Sequence, residues 1–201
     1  MLDAAIELLG NHGAKGLSHL KVDRKAGVPD GTTSFYFRTS ASLLYASAER
    51  LAQRDRAELN ATLDLVRSQI APASTPSLLG TSVIATATEP LLARARARFE
   101  LALQGGRDPE LRRLVQQNRE LFIELFRKLV MQFQPPDVEV DPALIDDQVY
   151  AIITFISGFM LSVASGDQTV NSAKEVDRFL CAIIAGVRAS HEQKQAERAR
   201  G

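Results

Sequence analysis

The side chains best suited to chemistry lie between Leu17 and Leu44, in the segment LSHLKVDRKAGVPDGTTSFYFRTSASLL. Hydroxyl and aromatic side chains are concentrated at residues 32–36, where large aliphatic side chains are absent. Five Lys or Arg against two Asp give residues 13–38 a net charge of +3, although the whole chain of 201 residues has no net charge. Hydroxyls and aromatic rings can contact base edges, and basic side chains can contact phosphates. The charge excess is local and suits phosphate contacts, whereas the neutral chain as a whole is not typical of a nonspecific polybasic nucleic-acid binder.

Two short helices are predicted to position these side chains. Ser18 can cap the first helix, and Gly27 can end it because glycine adopts a left-handed backbone at little cost. Pro29 suits the beginning of the second helix, which we predict at residues 30–36, because proline has no backbone N–H to leave unpaired. The break between the helices is too short to let them lie side by side, so they must cross.

Two further helices flank the crossing pair. Residues 2–12 place apolar side chains at helical spacing, and Gly13 is predicted to end this helix. Thr39 is a suitable cap for a long helix whose apolar positions continue to about Val66. The first of these helices would support the crossing pair, and the second would lead away from it.

Glycines, alanines and aromatic residues follow one consistent pattern over about residues 1–45. It reads Ala4-Ala5-x-Glu7-Leu8-Leu9, Gly13, then Val22-x-x-x-Ala26-Gly27-Val28-Pro29-x-Gly31-Thr32, then Tyr36-Phe37-x-Thr39-x-x-x-Leu43-Leu44. This pattern resembles the N-terminal domain of the TetR family. Members of that family are dimeric, ligand-responsive transcription regulators with a three-helix helix-turn-helix domain. In them the second helix of the crossing pair enters the DNA major groove.

The resemblance also implies which side chains would contact DNA. Base or sugar contacts are implied for three residues: Thr32, Ser34 and Phe35. Phosphate contacts are implied for a second group, in which the two basic residues would assist: Ser18, His19, Lys21, Arg24, Tyr36 and Thr39. Asp30 would stabilise the helix start or accept from a cytosine amine. Thr33 and Phe37 are expected to face inward.

Three positions depart from the family pattern. Ser34 stands where tyrosine is usual, Tyr36 where histidine is common, and Ser40 where a lysine usually contacts the DNA backbone. The missing lysine should weaken the salt-dependent part of DNA affinity. The helical pattern begins at residue 2, and the sequence leaves open whether the basic arm that many members carry before this helix is missing. We therefore expect an unusual operator preference.

The rest of the chain is predicted to be helical and carries no comparable motif. We predict an all-α fold with a helix-turn-helix DNA-binding domain at residues 1–46 and a helical effector-binding and dimerisation domain at residues 47–201. Proline-containing breaks are predicted at residues 71–76 and 135–137. Asp108 is expected to cap a long core helix.

The last two helices of the chain suggest how it dimerises. Pro142 is expected to begin the first and Gly166 to end it, and Ser172 is expected to cap the second. Both carry continuous apolar stripes, and Gly158 and Gly186 would let another helix approach closely. We therefore predict a homodimer through residues 142–190, with four helices at the interface.

A pocket for a small effector is predicted among the helices of residues 76–165. Its candidate lining is mainly apolar: Phe99, Leu103, Asn118, Phe122, Phe126, Tyr150, Thr154, Ser157 and Phe159. Each of these could instead be ordinary core, and Asn118 is either a satisfied buried amide or a ligand contact. Together they favour an uncharged, hydrophobic effector. The nearby arginines are interpreted as a solvated or salt-bridged face, with Arg96 paired to Glu100 one turn later.

Other functional classes find little support. The three histidines, His12, His19 and His191, lack the spacing of a metal site or catalytic triad, and no glycine-rich phosphate loop is present. We predict no catalytic residue, metal site or cofactor. The single cysteine, Cys181, excludes an intrachain disulfide and suits the cytoplasm. The apolar run at residues 150–164 is too short to span a membrane and is interpreted as a buried helix, and no secretory signal is visible.

These observations predict a DNA-binding transcriptional regulator without enzymatic activity. In the favoured hypothesis it represses transcription from a pseudo-palindromic operator and is released by the effector, with the break at Gln104–Pro109 transmitting the signal. In the alternative it is a helical protein-interaction adaptor with a vestigial DNA-binding head. Uniform binding across DNA sequences would favour the adaptor. The sequence leaves open the effector, the target genes and the choice between repression and activation.

Overall fold

The computed structural model of this chain describes residues 1–68, 75–131, 134, 140–167 and 172–200. Over these residues the chain forms nine α-helices and no strand, which confirms the all-α prediction. The helices are α1 Leu2–Gly16, α2 His19–Ala26, α3 Thr32–Tyr36, α4 Ser40–Ser68, α5 Thr75–Ala85, α6 Leu91–Gly105, α7 Pro109–Met131, α8 Pro142–Ala164 and α9 Ala173–Arg200. Of the predicted breaks at residues 71–76 and 135–137, residues 71–74 and 135–137 lie outside the described residues, and residues 75–76 belong to α5.

The helices form two compact units. The first contains Met1–Glu58, Thr86–Glu120 and Leu161–Asp167, and the second contains Leu59–Ala85, Leu121–Met160 and Gln168–Gly201. Helix α4 continues through residue 46 without interruption. The predicted domain boundary at residue 46 therefore does not coincide with the end of a helix. The division into a DNA-binding and an effector-binding domain stays a prediction.

Helix α1 packs on two sides within the first unit. Ala5 lies in a cluster with Val22 of α2 and Leu43 of α4. Ile6 and Leu9 lie in a second cluster, which includes apolar residues of α4, α6 and α7. Gly13 interrupts the helix as predicted, with φ 65° and ψ −177°, and one further turn follows to Gly16. The predicted end at Gly13 is therefore early by one turn.

Helices α1 and α6 approach each other closely at Gly10. A Cβ atom at this position would lie 1.9 Å from the carbonyl oxygen of Ala93 in α6. No side chain larger than hydrogen fits there while the two helices keep their places. The contact between α1 and α6 depends on this glycine.

Ion pairs join α4 to α6 in the same unit. Arg98 donates two hydrogen bonds, of 2.9 and 2.8 Å, to the buried carboxylate of Asp55, and Arg94 pairs with Glu58. The prediction of a salt-bridged arginine face is confirmed. The prediction for Arg96 is wrong, because its side chain donates to the Ala164 carbonyl and lies 4.0 Å from Glu89. Glu100 instead accepts from the backbone N–H of Ala14.

The second unit contains the long apolar helix α8 and helix α9. The predicted ends of α8 and the predicted cap of α9 are confirmed, since Gly166 has φ 94° and Ser172 accepts from the Glu175 N–H. Helix α9 continues through the charged tail to Arg200. Alone among the described helices, α8 is long and apolar enough to cross a membrane by length and composition. One face of the run at residues 150–164 is buried as predicted, through Ile152, Ile156, Phe159 and Val163.

Buried glutamines hold α8 and α9 together in this unit. Gln148 of α8 is fully buried and donates to the Ile184 carbonyl of α9 at 3.1 Å. Its side-chain oxygen accepts from Gln134 at 3.0 Å, and Arg188 of α9 donates to Gln134. Because each of these polar groups has a partner, burial here does not carry the cost of an unpaired group.

Candidate nucleic-acid interface

Helix α2 is positioned by a polar cap and one apolar face. Ser18 accepts from the backbone N–H of Lys21 at 3.4 Å, and Gly27 ends the helix in the left-handed conformation with φ 68°. Both features were predicted. Val22 is fully buried against Ala5 and Leu43. This packing leaves the opposite side of α2, including Lys21, exposed.

The carboxylate of Asp23 fixes the beginning of α3. Asp23 is fully buried and accepts three hydrogen bonds, from Gly31 N at 2.8 Å, Thr33 N at 2.7 Å and Thr33 Oγ1 at 2.5 Å. The hydrogen bond from the Thr33 hydroxyl, together with those from the two backbone N–H groups, holds the pKa of Asp23 below its usual value. An ionised side chain of α2 thus satisfies N–H groups at the start of α3 and sets the crossing of the two helices.

Asp23 is a functional residue that sequence reasoning missed. In the sequence it counts only as one acidic residue among basic neighbours. The sequence offered one signal for this contact: Asp23 precedes Thr33 of the next helix by ten positions, across the turn made by Gly27 and Pro29. Thr33 itself is fully buried, as predicted.

His19 and Phe37 form a second link across the crossing. Phe37 packs against the cluster of Ala5, Val22 and Leu43, which confirms its predicted inward position. Its carbonyl lies 2.6 Å from Nε2 of His19. Because a carbonyl can only accept, this nitrogen carries the hydrogen. One nitrogen of the His19 ring is therefore already used within the fold, and a phosphate contact from His19 stays a prediction.

All the predicted DNA-contacting residues lie on α2, on α3 or in the loops that flank them. Ser18, His19 and Thr32 are half-buried, and the remaining seven are exposed: Lys21, Arg24, Asp30, Ser34, Phe35, Tyr36 and Thr39. Arg24 and Asp30 form a loose ion pair at 3.9 Å. We call Asp30, Thr32, Ser34, Phe35 and Tyr36 the reading surface. Their contacts with DNA stay predictions.

Aromatic exposure distinguishes α3 from a core helix. Phe35 is 69% exposed and Tyr36 is 63% exposed. The two rings contact each other edge to face, with centroids 5.2 Å apart and planes at 88°. Adjacent exposed aromatic side chains on a five-residue helix are not explained by burial, which makes them candidates for contact with a partner.

Thr39 forms the predicted cap of α4. Its hydroxyl accepts from the Ser42 N–H at 3.0 Å, and the Ser42 hydroxyl accepts from the Thr39 N–H at 3.1 Å. This reciprocal pair holds the beginning of the helix that follows the reading surface. A phosphate contact from Thr39 stays a prediction.

The predicted pocket residues fall in both units. The first unit contains Phe99, Leu103 and Asn118, and the second contains Phe122, Phe126, Tyr150, Thr154, Ser157 and Phe159. Phe126 and Phe159 are buried, whereas Leu103 and Tyr150 are 73% and 66% exposed. Thr154 and Ser157 are exposed as well, and the other three are half-buried. Asn118 has a buried side-chain oxygen without a hydrogen-bond partner.

Within the described residues no group of three His, Cys, Asp or Glu side chains could hold a metal ion. His12 is exposed, and His191 lies 3.0 Å from Asp141. The carboxylate of Asp141 also accepts from the Ala143 N–H, which together with His191 lowers the pKa of Asp141. Cys181 is free and exposed.

A family model described as the C-terminal domain of tetracyclin-repressor-like proteins matches residues 77–186. No match was found among curated proteins. The matched residues exclude the helix-turn-helix segment, so this result is independent of the sequence pattern at residues 1–45.

Solved structures provide a second comparison. A TetR family member from Streptomyces coelicolor is 21% identical, with 90% of this chain and 94% of that chain covered and a TM-score of 0.67. The multidrug binding protein EbrR in complex with ethidium is 23% identical, with coverages of 90% and 94% and a TM-score of 0.62. A transcriptional regulator from Saccharomonospora viridis in complex with choline is 14% identical, with coverages of 92% and 93% and a TM-score of 0.72. At these identities the comparison shows the fold.

Proposed function

We propose that this chain, which belongs to the TetR family of transcriptional regulators, acts in the cytoplasm as a homodimeric repressor that binds a pseudo-palindromic operator. In this proposal the operator is released when a small molecule binds among the helices of residues 76–165. The domain division at residue 46 then separates the DNA-binding head from the helical effector-binding and dimerisation part. Two heads of one dimer would place their α3 helices in successive major grooves.

The observation that carries DNA binding is the combination of a fixed backbone and exposed side chains at α3. Asp23 holds the start of α3 through three hydrogen bonds, while Phe35 and Tyr36 are exposed. A preorganised helix loses little conformational entropy when it enters a groove. The net charge of +3 over residues 13–38 suits the phosphates on either side.

Titration of the chain with DNA from its own upstream region tests this proposal. Fluorescence polarisation at moderate salt should give a dissociation constant on the order of 10⁻⁸ M, at least roughly 10³-fold tighter than for unrelated DNA. Affinity should fall as salt rises, with a shallow dependence because Ser40 supplies no cation. Equal affinity for all DNA sequences would support the adaptor alternative and overturn the proposal.

The proposed dimer face lies on α8 and α9. Tyr150, Thr154 and Ser157 are exposed at spacings of four and three residues, so they share one face of α8. In this proposal these three residues belong to the dimer face rather than to the pocket lining that the sequence suggested. Helix α9 presents small exposed residues, among them Ala182, Ala185, Gly186 and Ala189. A shallow cavity of about 350 Å³ lies on this part of α9. Small residues on exposed helices allow the close approach that a four-helix interface requires.

Gly186→Leu should dissociate the dimer without unfolding the chain. Nothing lies within 4 Å of a Cβ added at Gly186, so a side chain can begin at this position without a steric clash in its own chain. In a symmetric dimer the added bulk enters the interface twice, and we expect dimerisation to weaken by roughly 30-fold or more. Sedimentation velocity measures this change. Gln193→Leu, on the same helix beyond the proposed interface, is the control; equal behaviour of the two variants would contradict the proposed face.

The proposed effector is small and mostly apolar, with one hydrogen-bond donor. The unpartnered buried oxygen of Asn118 supports such a donor, because an unpaired buried acceptor is costly. The similar structures with ethidium and choline concern organic molecules that combine apolar groups with a positive charge. A cationic effector is therefore the second candidate. A thermal-shift screen with apolar cations and neutral apolar compounds distinguishes the two.

Asn118→Leu should stabilise the free chain and abolish its response to the effector. Leucine replaces the unpaired oxygen by apolar atoms of similar volume, which should contribute about 1 kcal/mol. The melting temperature should then rise by about 2–4 °C. Gln116→Leu is a matched control at an exposed position of α7. A lower melting temperature for Asn118→Leu, or an unchanged thermal shift with compounds that bind the original chain, would contradict the proposed contact.

The proposed route from the effector to the head passes through Asp108, within the predicted break at Gln104–Pro109. One oxygen of Asp108 caps α7 by accepting from Glu110 N at 3.0 Å and Leu111 N at 3.1 Å. The other oxygen accepts from the Tyr45 hydroxyl of α4 at 2.8 Å. A single carboxylate thus joins the beginning of α7 to the helix that follows the reading surface. These contacts support transmission, because movement of α7 would pull on α4.

A further inference from the structure

The hydroxyl groups of the reading surface already use their hydrogens within the protein. Thr32 Oγ1 donates to the Pro29 carbonyl at 2.6 Å, and Ser34 Oγ donates to the Gly31 carbonyl at 2.9 Å. Each hydroxyl has one hydrogen to donate and two lone pairs that accept. A hydroxyl that donates to its own backbone can still accept from a partner. Both side chains therefore face a groove as acceptors.

The other members of the reading surface add no competing donor near the start of α3. Asp30 is exposed, and a carboxylate only accepts hydrogen bonds. Phe35 is apolar and 69% exposed. The sequence of α3, TTSFY, contains no Lys, Arg, Asn or Gln. Tyr36 and Arg24 are donors, and both are among the side chains for which the family resemblance implies phosphate contacts.

Base edges in the major groove differ in what they offer to such a surface. Adenine N6 and cytosine N4 donate, thymine presents a methyl group, and guanine presents the acceptors N7 and O6. Acceptor side chains gain hydrogen bonds from the two amines. Opposite guanine they form no hydrogen bond, because the side chain and the guanine atoms N7 and O6 are all acceptors. Apolar side chains gain contact with the thymine methyl group.

We propose that the reading surface recognises its operator through adenine N6 and cytosine N4 amines, which donate to Asp30, Thr32 and Ser34, and through thymine methyl groups, which contact Phe35. Guanine N7 is not contacted. This proposal rests on the proposed function, because it concerns which bases the same DNA-binding surface selects. It differs from readout by arginine or lysine, the side chains that pair with guanine N7 and O6.

Base analogues in the operator test the proposal with the full-length chain. Purine in place of adenine removes the N6 amine, uracil in place of thymine removes the methyl group, and 7-deazaguanine in place of guanine removes N7. Polarisation titrations should show about 5- to 150-fold weaker binding for purine at a contacted position. Uracil should weaken binding by roughly threefold, about the effect of one buried methyl group. 7-Deazaguanine should leave affinity unchanged within roughly twofold; a loss greater than roughly tenfold, with no effect of purine, would overturn the proposal.

A double-mutant cycle assigns the contact to a side chain. Ser34 is exposed, so Ser34→Ala removes the acceptor while leaving the packing of α3 intact. At the position that Ser34 contacts, the purine substitution should weaken binding to the original chain and have little further effect on Ser34→Ala. If the effects of the purine substitution and of Ser34→Ala add at every position of the half-site, the proposed role of Ser34 is overturned. If the chain binds no operator specifically, the proposed function itself fails; if it binds specifically but depends on guanine N7, only this inference fails.

Discussion

Replacing Asp23 with alanine is expected to lower the melting temperature by about 5–10 °C and to weaken operator binding by roughly 100-fold. The substitution removes the acceptor of three hydrogen bonds and leaves Gly31 N, Thr33 N and Thr33 Oγ1 unpaired near the core. Helix α3 then loses the contact that fixes its direction relative to α2. The proposed base contacts depend on that direction, so operator affinity should fall by more than the loss of folded protein alone would cause. Circular dichroism melts and polarisation titrations below the melting range measure the two effects.

Asp30→Asn is the matched control for stability. It removes one negative charge from the same head, at an exposed position whose nearest ion-pair partner lies 3.9 Å away. Its melting temperature should stay within about 1 °C of the original chain, because exposed ion pairs contribute little. If Asp23→Ala melts at the same temperature as Asp30→Asn, the proposed role of Asp23 is wrong.

The pH dependence of Asp23→Asn should distinguish charge from packing. The folded chain holds the pKa of Asp23 below its usual value of 3.8, so the ionised form stabilises the fold at every pH above that value. This stabilisation is lost as the pH falls from 3.8 through the lower pKa of the folded state. The difference in melting temperature between the original chain and Asp23→Asn should therefore be largest near neutral pH and should narrow below pH 3.8. A difference that widens on acidification would contradict this sign.

Gly10→Val should destabilise the chain by about 3 kcal/mol. The new Cβ would lie 1.9 Å from the Ala93 carbonyl oxygen and 2.7 Å from its carbonyl carbon. Both atoms belong to the backbone of α6, so no rotation of a side chain can relieve the overlap. Helices α1 and α6 must separate, which opens the cluster around Ile6 and Leu9.

Chemical denaturation of Gly10→Val measures this cost. Asn11→Val is the control, because it introduces the same β-branched residue at the next position of α1, where the side chain is exposed. The control should lose less than about 1 kcal/mol, the usual range of helix propensity. Equal stability of the two variants would show that α1 and α6 do not depend on the glycine.

Features set by neighbouring residues could be predicted from the sequence. The caps at Ser18, Thr39 and Asp108 each require one oxygen and a backbone N–H two or three positions later. The ends at Gly27 and Gly166 require a left-handed residue, and glycine adopts that conformation most easily. Such signals lie within one helical turn, so a single sequence contains them.

Features that depend on distant partners could not be predicted. Asp55 and Arg98 lie 43 positions apart, and only the packing of α4 on α6 brings them together. The close approach of Gly10 to Ala93 has the same origin. The mistaken pairing of Arg96 followed from considering one helix alone.

Apolar spacing along a helix also did not predict which residues of the proposed pocket are buried. Tyr150 and Phe159 lie on one apolar helix, yet one is 66% exposed and the other is buried. Hydrophobic spacing indicates a face without saying whether core, ligand or a second subunit covers it. The pocket residues and the dimer face therefore remain predictions, whereas the helices that carry them are described.

The most direct test of DNA recognition by a dimer is a hydroxyl-radical footprint on DNA from the upstream region of this chain. Two protected patches should appear, with centres about 34 Å apart along the duplex, because in the proposed dimer each head would place its α3 in the major groove one helical turn from the other. The same DNA with Asp23→Ala should lose both patches. Uniform protection along the fragment, or a footprint that is unchanged by Asp23→Ala, would contradict operator recognition through α3.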